Sequence, residues 1–191
     1  MRTKRRFTTY LSTILVLTLF FSLAIHSQVF AAQQTVSGIF DYSSAHAMLE
    51  QVNASRQASG LAPLAYDYNL EWFAKTRAAE LTILNAHERP DGTLHPYGEN
   101  YSIGWSSVSQ AMSSFLASPS HSANIFGGYS SMAAAVFSSG GSTYWVQIFA
   151  SGSDPGVPNG LSGTSSESLK VNVSDAQAGL AGNYDDNLKL Q

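Results

Sequence analysis

Thr143-Tyr-Trp-Val-Gln-Ile-Phe-Ala-Ser151 is the stretch on which the fold turns. Tyr144, Val146 and Ile148 alternate with Trp145, Gln147 and Phe149, so at strand period the two sets point to opposite faces. Both sets are largely apolar. A strand with two faces to bury belongs inside a sheet that helices cover on both sides. Immediately upstream, Ser139-Gly140-Gly141-Ser142 is a hairpin signal that pairs this strand with Met132 to Ser138.

The helices to cover such a sheet lie further upstream. Ala45, Met48, Leu49 and Val52 recur at helical spacing, with Ser43 or Ser44 as the expected cap and Gly60 as the stop. Leu61 to Leu64 is extended, because Pro63 pushes its predecessor away from helix. Asp67 or Asn69 opens a second helix with the stripe Leu70, Phe73, Ala74, Ala78 and Leu81. A loop from Asn85 to Tyr97 holds Pro90, Gly92 and Pro96, and a short strand, Glu99 to Gly104, follows. Ser107 with Gln110 forms a capping box for a third helix bearing Val108, Ala111, Met112, Phe115 and Leu116. Ser118-Pro119 starts a short fourth helix that carries His121, Asn124 and Ile125. Residues 43–151 therefore read as one domain, preceded by an entry segment, 32–42. The tail, 152–191, is rich in Gly, Ser, Asp and Asn and is expected to be mostly disordered, with Val171 to Leu180 pairing at most transiently.

Residues 1–31 read as a secretory leader: Arg2, Lys4, Arg5 and Arg6, then an apolar run from Leu11 to Ile25, then Val29-Phe30-Ala31 at the cut. A secreted, extracellular protein is expected, with no stable membrane insertion once the leader is removed; the alternative reading is an uncleaved anchor whose apolar run starts at Phe7. Cleavage leaves six basic residues against thirteen acidic ones, a net charge of −7. No basic stripe remains to neutralise phosphates, which argues against nucleic acid as a partner. The chain has no cysteine, so disulfides, thiolate metal sites and a cysteine nucleophile are excluded.

Six spaced motifs follow one another along the domain. They are Val52-Asn53-x-x-Arg56-x-x-x-Gly60-Leu61-x-Pro63-Leu64, Leu70-x-x-x-Ala74-x-x-Arg77-Ala78-x-Glu80-Leu81 and His87-x-Arg89-Pro90-Asp91-Gly92. Then come Gly98-Glu99-Asn100, Ser118-Pro119-x-His121-x-x-Asn124-Ile125 and Tyr144-Trp145-x-Gln147-x-Phe149. In this order and spacing they resemble the CAP superfamily (cysteine-rich secretory protein, antigen 5, pathogenesis-related 1), in its cysteine-free bacterial branch. The resemblance covers about residues 43–151. It implies a mixed α/β fold, α+β in layout: a three-layer α-β-α sandwich around a small antiparallel sheet. It also implies a surface cleft where two histidines and two acidic residues can converge. His87, Glu99 and His121 fall on three of those four positions, and the fourth falls near Ser118.

Two neutral imidazoles can bind zinc or magnesium, with Glu99 as a third ligand or as base to a bound water. No organic cofactor is indicated. The remaining polar residues read as bracing: Asn53, Arg56, Arg77, Glu80 and Asn100 within the fold, Arg89 and Asp91 at the Pro90-Asp91-Gly92 turn. His95 reads as an exposed loop histidine or an extra ligand. Trp72, Trp105 and Trp145 read as core or cleft wall. The leading functional expectation is an extracellular binding or interaction module for a small-molecule, lipid or envelope ligand. The alternative is a metal-dependent hydrolase or peptidase built on His87, Glu99 and His121.

Overall fold

The computed structural model of the protein describes residues 32–152, 156–174 and 177, and the leader expected at residues 1–31 lies outside them. Among the described residues the elements are, in chain order, β1 (Ala32–Asp41), α1 (Tyr42–Ala58), β2 (Ala65–Tyr66), α2 (Tyr68–Glu80), β3 (Gly98–Ile103), α3 (Val108–Ala117), α4 (Pro119–Ile125), β4 (Ser131–Ser139), β5 (Ser142–Ala150) and β6 (Thr164–Val173). The strands form one sheet in the order β3-β5-β4-β1-β6, and β2 pairs in parallel with the start of β4.

β4 and β5 form the expected hairpin. Gly140 and Gly141 take φ of +58° and +80°, the left-handed pair that a two-residue turn requires. The two faces of β5 divide as its alternation demands. Val146 and Ile148 join Ala133, Ala135 and Phe137 of β4 beneath Leu70, Phe73, Ala74 and Ala78 of α2. Trp145 and Phe149 join Met132, Ala134 and Val136 beneath Ala45, Met48 and Val52 of α1, and Ala111, Met112 and Phe115 of α3. The result is α2 on one side, the sheet in the middle, and α1, α3 and α4 on the other.

The caps follow local chemistry with one change. Asp67 caps α2 and Ser107 caps α3. The cap of α1 is Asp41, ahead of either serine. Its Oδ1 accepts from Ser44 N at 2.9 Å and its Oδ2 from Ser44 Oγ at 2.7 Å. Ser43 instead accepts the backbone N–H of Gly163. The capping box at Ser107 is displaced by one residue, because the Gln110 amide oxygen turns back to Ser106 N and Oγ.

The two ends of the described chain correct the reading of 32–42 as an entry segment and of 152–191 as tail. Ala32–Asp41 is a full strand, and Thr164–Val173 pairs with it over its whole length, Ala32 opposite Val173 and Asp41 opposite Thr164. One face of this ribbon is apolar: Val36, Phe40, Leu169, Val171 and Val173 extend the core under α2. The other is polar, with Ser37 bonded to Ser168 and Gln33 to Asn172. A one-faced strand with short polar residues looks like a linker in sequence, and only its pairing partner reveals it. The ribbon meets the rest of the sheet at Ile39–Phe40, opposite Phe137–Ser138. Gly38 is needed there, since a Cβ would lie 2.4 Å from Ser138 O and 2.5 Å from the Phe137 ring. β6 is fastened from beside the sheet by Lys75, whose ammonium donates to Glu167 Oε2 and Tyr42 Oη, both at 2.6 Å.

Candidate functional site

The site begins with an anomaly on α2. Its inward stripe includes an arginine and a glutamate, Arg77 and Glu80, with side chains 0% and 1% exposed. Buried charges need partners. Arg77 Nη1 donates to Glu80 Oε2 at 2.5 Å, and its Nε and Nη2 grip Glu99 Oε2 and Oε1 at 2.7 and 3.2 Å. Nη2 also donates to Ala86 O, which ties the following loop to the helix. Arg89 completes the row, with Nη2 2.6 Å from Glu80 Oε1 and its guanidinium over the Phe73 ring. Arg89 is therefore a clamp on the helix end as well as a turn neighbour. The turn itself is set by Asp91, which accepts from Thr93 N and Oγ1.

Glu99, on β3, is the hub. Besides Arg77 it contacts His87 Nδ1 at 2.9 Å through Oε1 and His95 Nε2 at 3.1 Å through Oε2. Burial pushes its pKa up, but hydrogen bonds from His95 and Arg77, the Arg77 charge and the bond to His87 outweigh burial and hold it at about 2. The carboxylate is thus ionised and can only accept, so His87 presents Nδ1–H to it and His95 presents Nε2–H. That tautomer turns Nε2 of neutral His87 outward as a lone pair. The ring is 61% exposed and stands edge-on to Tyr101 at 4.8 Å.

His121 reaches the site from α4. A buried amide row pins that helix to β3: Asn100 Nδ2 donates to His121 O and Gln147 Oε1, and Asn124 Nδ2 donates to Asn100 Oδ1 and Glu99 O. The His121 ring packs edge-on against Phe115. Its buried Nδ1 has no hydrogen-bond partner among the described residues. Burial, and then the repulsion His121 would meet from a protonated His87, hold its pKa below the ordinary value.

Of the three residues singled out in sequence, His87 and Glu99 are in direct contact, and His121 is coupled to His87 through space without a bond to either. Glu99 offers about four lone-pair directions, and Arg77 (twice), His87 and His95 take them all. Nothing is left for a metal, so a three-ligand zinc or magnesium centre on His87, Glu99 and His121 does not fit these side chains. No group of three or more His, Asp or Glu among the described residues is arranged to hold a metal ion. His95, read from sequence as an exposed loop histidine or an extra ligand, is instead a largely buried partner of Glu99. Its side chain is 8% exposed and leans on Phe73 and Tyr97, and its only signal was the i,i+4 spacing to Glu99. Trp145 is core, whereas Trp72 and Trp105 are 65% and 38% exposed.

Comparison with known proteins bears on the whole arrangement. The family model described as CAP, the cysteine-rich secretory protein family, matches residues 49–149. Among solved structures, an outer surface protein from Borrelia burgdorferi superposes with a TM-score of 0.51 at 17% identity, over 56% of this chain and 90% of that one. A cysteine-rich secretory protein from Staphylococcus aureus gives a TM-score of 0.47 at 21% identity, over 56% of this chain and 38% of its own. No curated protein matches the chain. The Borrelia likeness is one of fold, and it agrees with the three layers described above. With the family model spanning the helices, β3 and the β4–β5 hairpin, the chain belongs to the CAP family, as a member without cysteine.

Proposed function

We propose that the protein is an exported binding module whose ligand is held between His87 Nε2, the Tyr101 ring and His121. The observation that carries this reading is the saturation of Glu99. A carboxylate with every lone pair engaged and a pKa of about 2 is a fixed counter-ion: it orients His87 and is a poor base at neutral pH. What faces solvent is an oriented imidazole acceptor beside an aromatic wall, a recognition surface rather than a proton-transfer pair. Export is supported by the leader-like residues 1–31 and the outer-surface description of the Borrelia neighbour. The second reading, a metal-dependent hydrolase using Glu99 as ligand or base, is weighed against by the hydrogen bonds that already engage that carboxylate.

The test is native mass spectrometry of the purified protein after exposure to lipid extracts and envelope fragments, in wild type and His87→Ala. A bound species in the wild type that is lost in the variant is the expected result. No retained species under any condition, or one that persists unchanged in His87→Ala, overturns the proposal. Titration calorimetry with zinc supplies the contrast: tight uptake abolished by both His87→Ala and Glu99→Gln would favour the metal centre instead.

A further inference from the structure

A recess lies beside α3, and none of His87, Glu99 or His121 lines it. Its volume is about 600 Å³, within the range of roughly 300–1,000 Å³ usual for small-ligand sites. Trp105 forms one wall, and Ser109, Gln110, Ser113, Ser114 and Ser118 supply hydroxyls and an amide around it.

The indole is exposed, and the backbone that carries it is held. Its own backbone carbonyl accepts from Trp145 Nε1 at 2.9 Å, and Gly104, at φ +93°, turns the chain outward just before it. Just beyond it, Ser106 N and Oγ both donate to Gln110 Oε1. Those bonds leave the Gln110 amide N–H groups free to face a ligand. An aromatic plate on a hydrogen-bonded stretch of backbone stands beside neutral donors and acceptors, which lowers the ordering cost of binding.

The lining decides the ligand class. No ionisable side chain borders the recess, in a chain whose net charge without the leader is −7, so neither an anion nor a cation finds a counter-charge there. Most of the exposed lining is apolar, with serine hydroxyls and the Gln110 amide spaced along it, so a fitting ligand presents an apolar face and a polar rim. A pyranose ring with equatorial hydroxyls meets both demands. Its axial C–H face is apolar and stacks on the indole, and its rim hydroxyls bond the serines and Gln110. We propose that this recess is a binding site for a neutral glycan. It does not include His87, Glu99 or His121 and does not depend on the function proposed for them.

The experiment is a titration of the purified full-length protein with chitotriose and cellotriose, read by tryptophan fluorescence and by amide chemical shifts of residues 104–118. At about 10 mM sugar, enough to saturate a millimolar site, saturable shifts are expected. Trp105→Ala should weaken binding at least ~10-fold, about 1.4 kcal/mol. That variant keeps the bond to Trp145, which uses the main-chain carbonyl. Ser113→Leu, which fills the recess, should weaken it too, and Trp105→Phe should restore part of the affinity. Trp72→Ala, which removes an exposed indole from α2, should leave binding unchanged. Three results overturn the proposal: no saturable shift with either sugar, shifts undiminished in Trp105→Ala, or shifts produced by dodecanoate and by neither sugar.

Discussion

Glu99 shows how much a single residue can settle. It stands at a motif position that the sequence flagged as chemical, and its surroundings make it a counter-ion. The difference was invisible in sequence because it depends on Arg77 and His95, read as a brace and as a loop residue. The burial of Arg77 has a measurable consequence. The folded pKa of Glu99, about 2, lies below its ordinary value of 4.5, so its contribution is fully present above 4.5 and is lost as the pH falls toward 2. The contribution is on the order of 3 kcal/mol. Urea unfolding across pH 2–6 should show this loss in the wild type and a flatter profile in Glu99→Gln. The variant should also be less stable at pH 7, by about 3–5 kcal/mol, because it leaves Arg77 buried beside an uncharged amide. Parallel pH profiles for the two proteins would refute the assignment. Other residues were legible because their roles are local. Asn53 bridges Leu64 N and O, and Arg56 collects the carbonyls of Ala62, Ile125 and Gly127, both bracing as expected.

Among the elements, those with two apolar faces or a full helical stripe were readable, and β1 and β6 were not. β5 announces itself through Trp145, Val146, Ile148 and Phe149 in one short run. β6 offers Leu169, Val171 and Val173 at alternate positions, but in a stretch whose composition resembles a linker. Its partner lies far back in the chain, as Ala32 opposite Val173 illustrates. β6 is held by the Lys75–Glu167–Tyr42 cluster, with the two charged side chains 15% and 28% exposed. Lys75 also lies 4.8 Å from the Phe40 ring centroid. Lys75→Ala should therefore loosen one strand before the whole molecule, at a cost of about 1.5–3 kcal/mol for bonds to a charged group. Native-state hydrogen exchange should quicken across Thr164–Val173 while amides of β4 and β5 keep their protection. Uniform acceleration everywhere would mean that β6 has no independent stability.

Across the whole molecule the three layers were legible, because two facts about one strand and one hairpin determine them: both faces of β5 need cover, and β4 lies beside it. The site was legible as a set of positions and not as a chemistry. Positions follow from motif order, whereas lone-pair occupancy follows from packing. The family match stops at residue 149, yet the sheet continues through β1 and β6. That added ribbon brings Ala32 directly opposite Val173, and Ser174 N bonds Pro90 O in the loop that carries His87. The linear order of the chain is therefore not essential to its architecture. A circular permutant, with a short glycine–serine linker from Ser174 to Ala32 and new ends opened between Gly140 and Gly141, keeps every strand neighbour in place. It should show the far-ultraviolet circular dichroism and the cooperative melting of the parent. It would turn the β4–β5 corner into a pair of attachment points, while Ala32 and Ser174, the latter beside the His87 loop, become joined in a continuous hairpin.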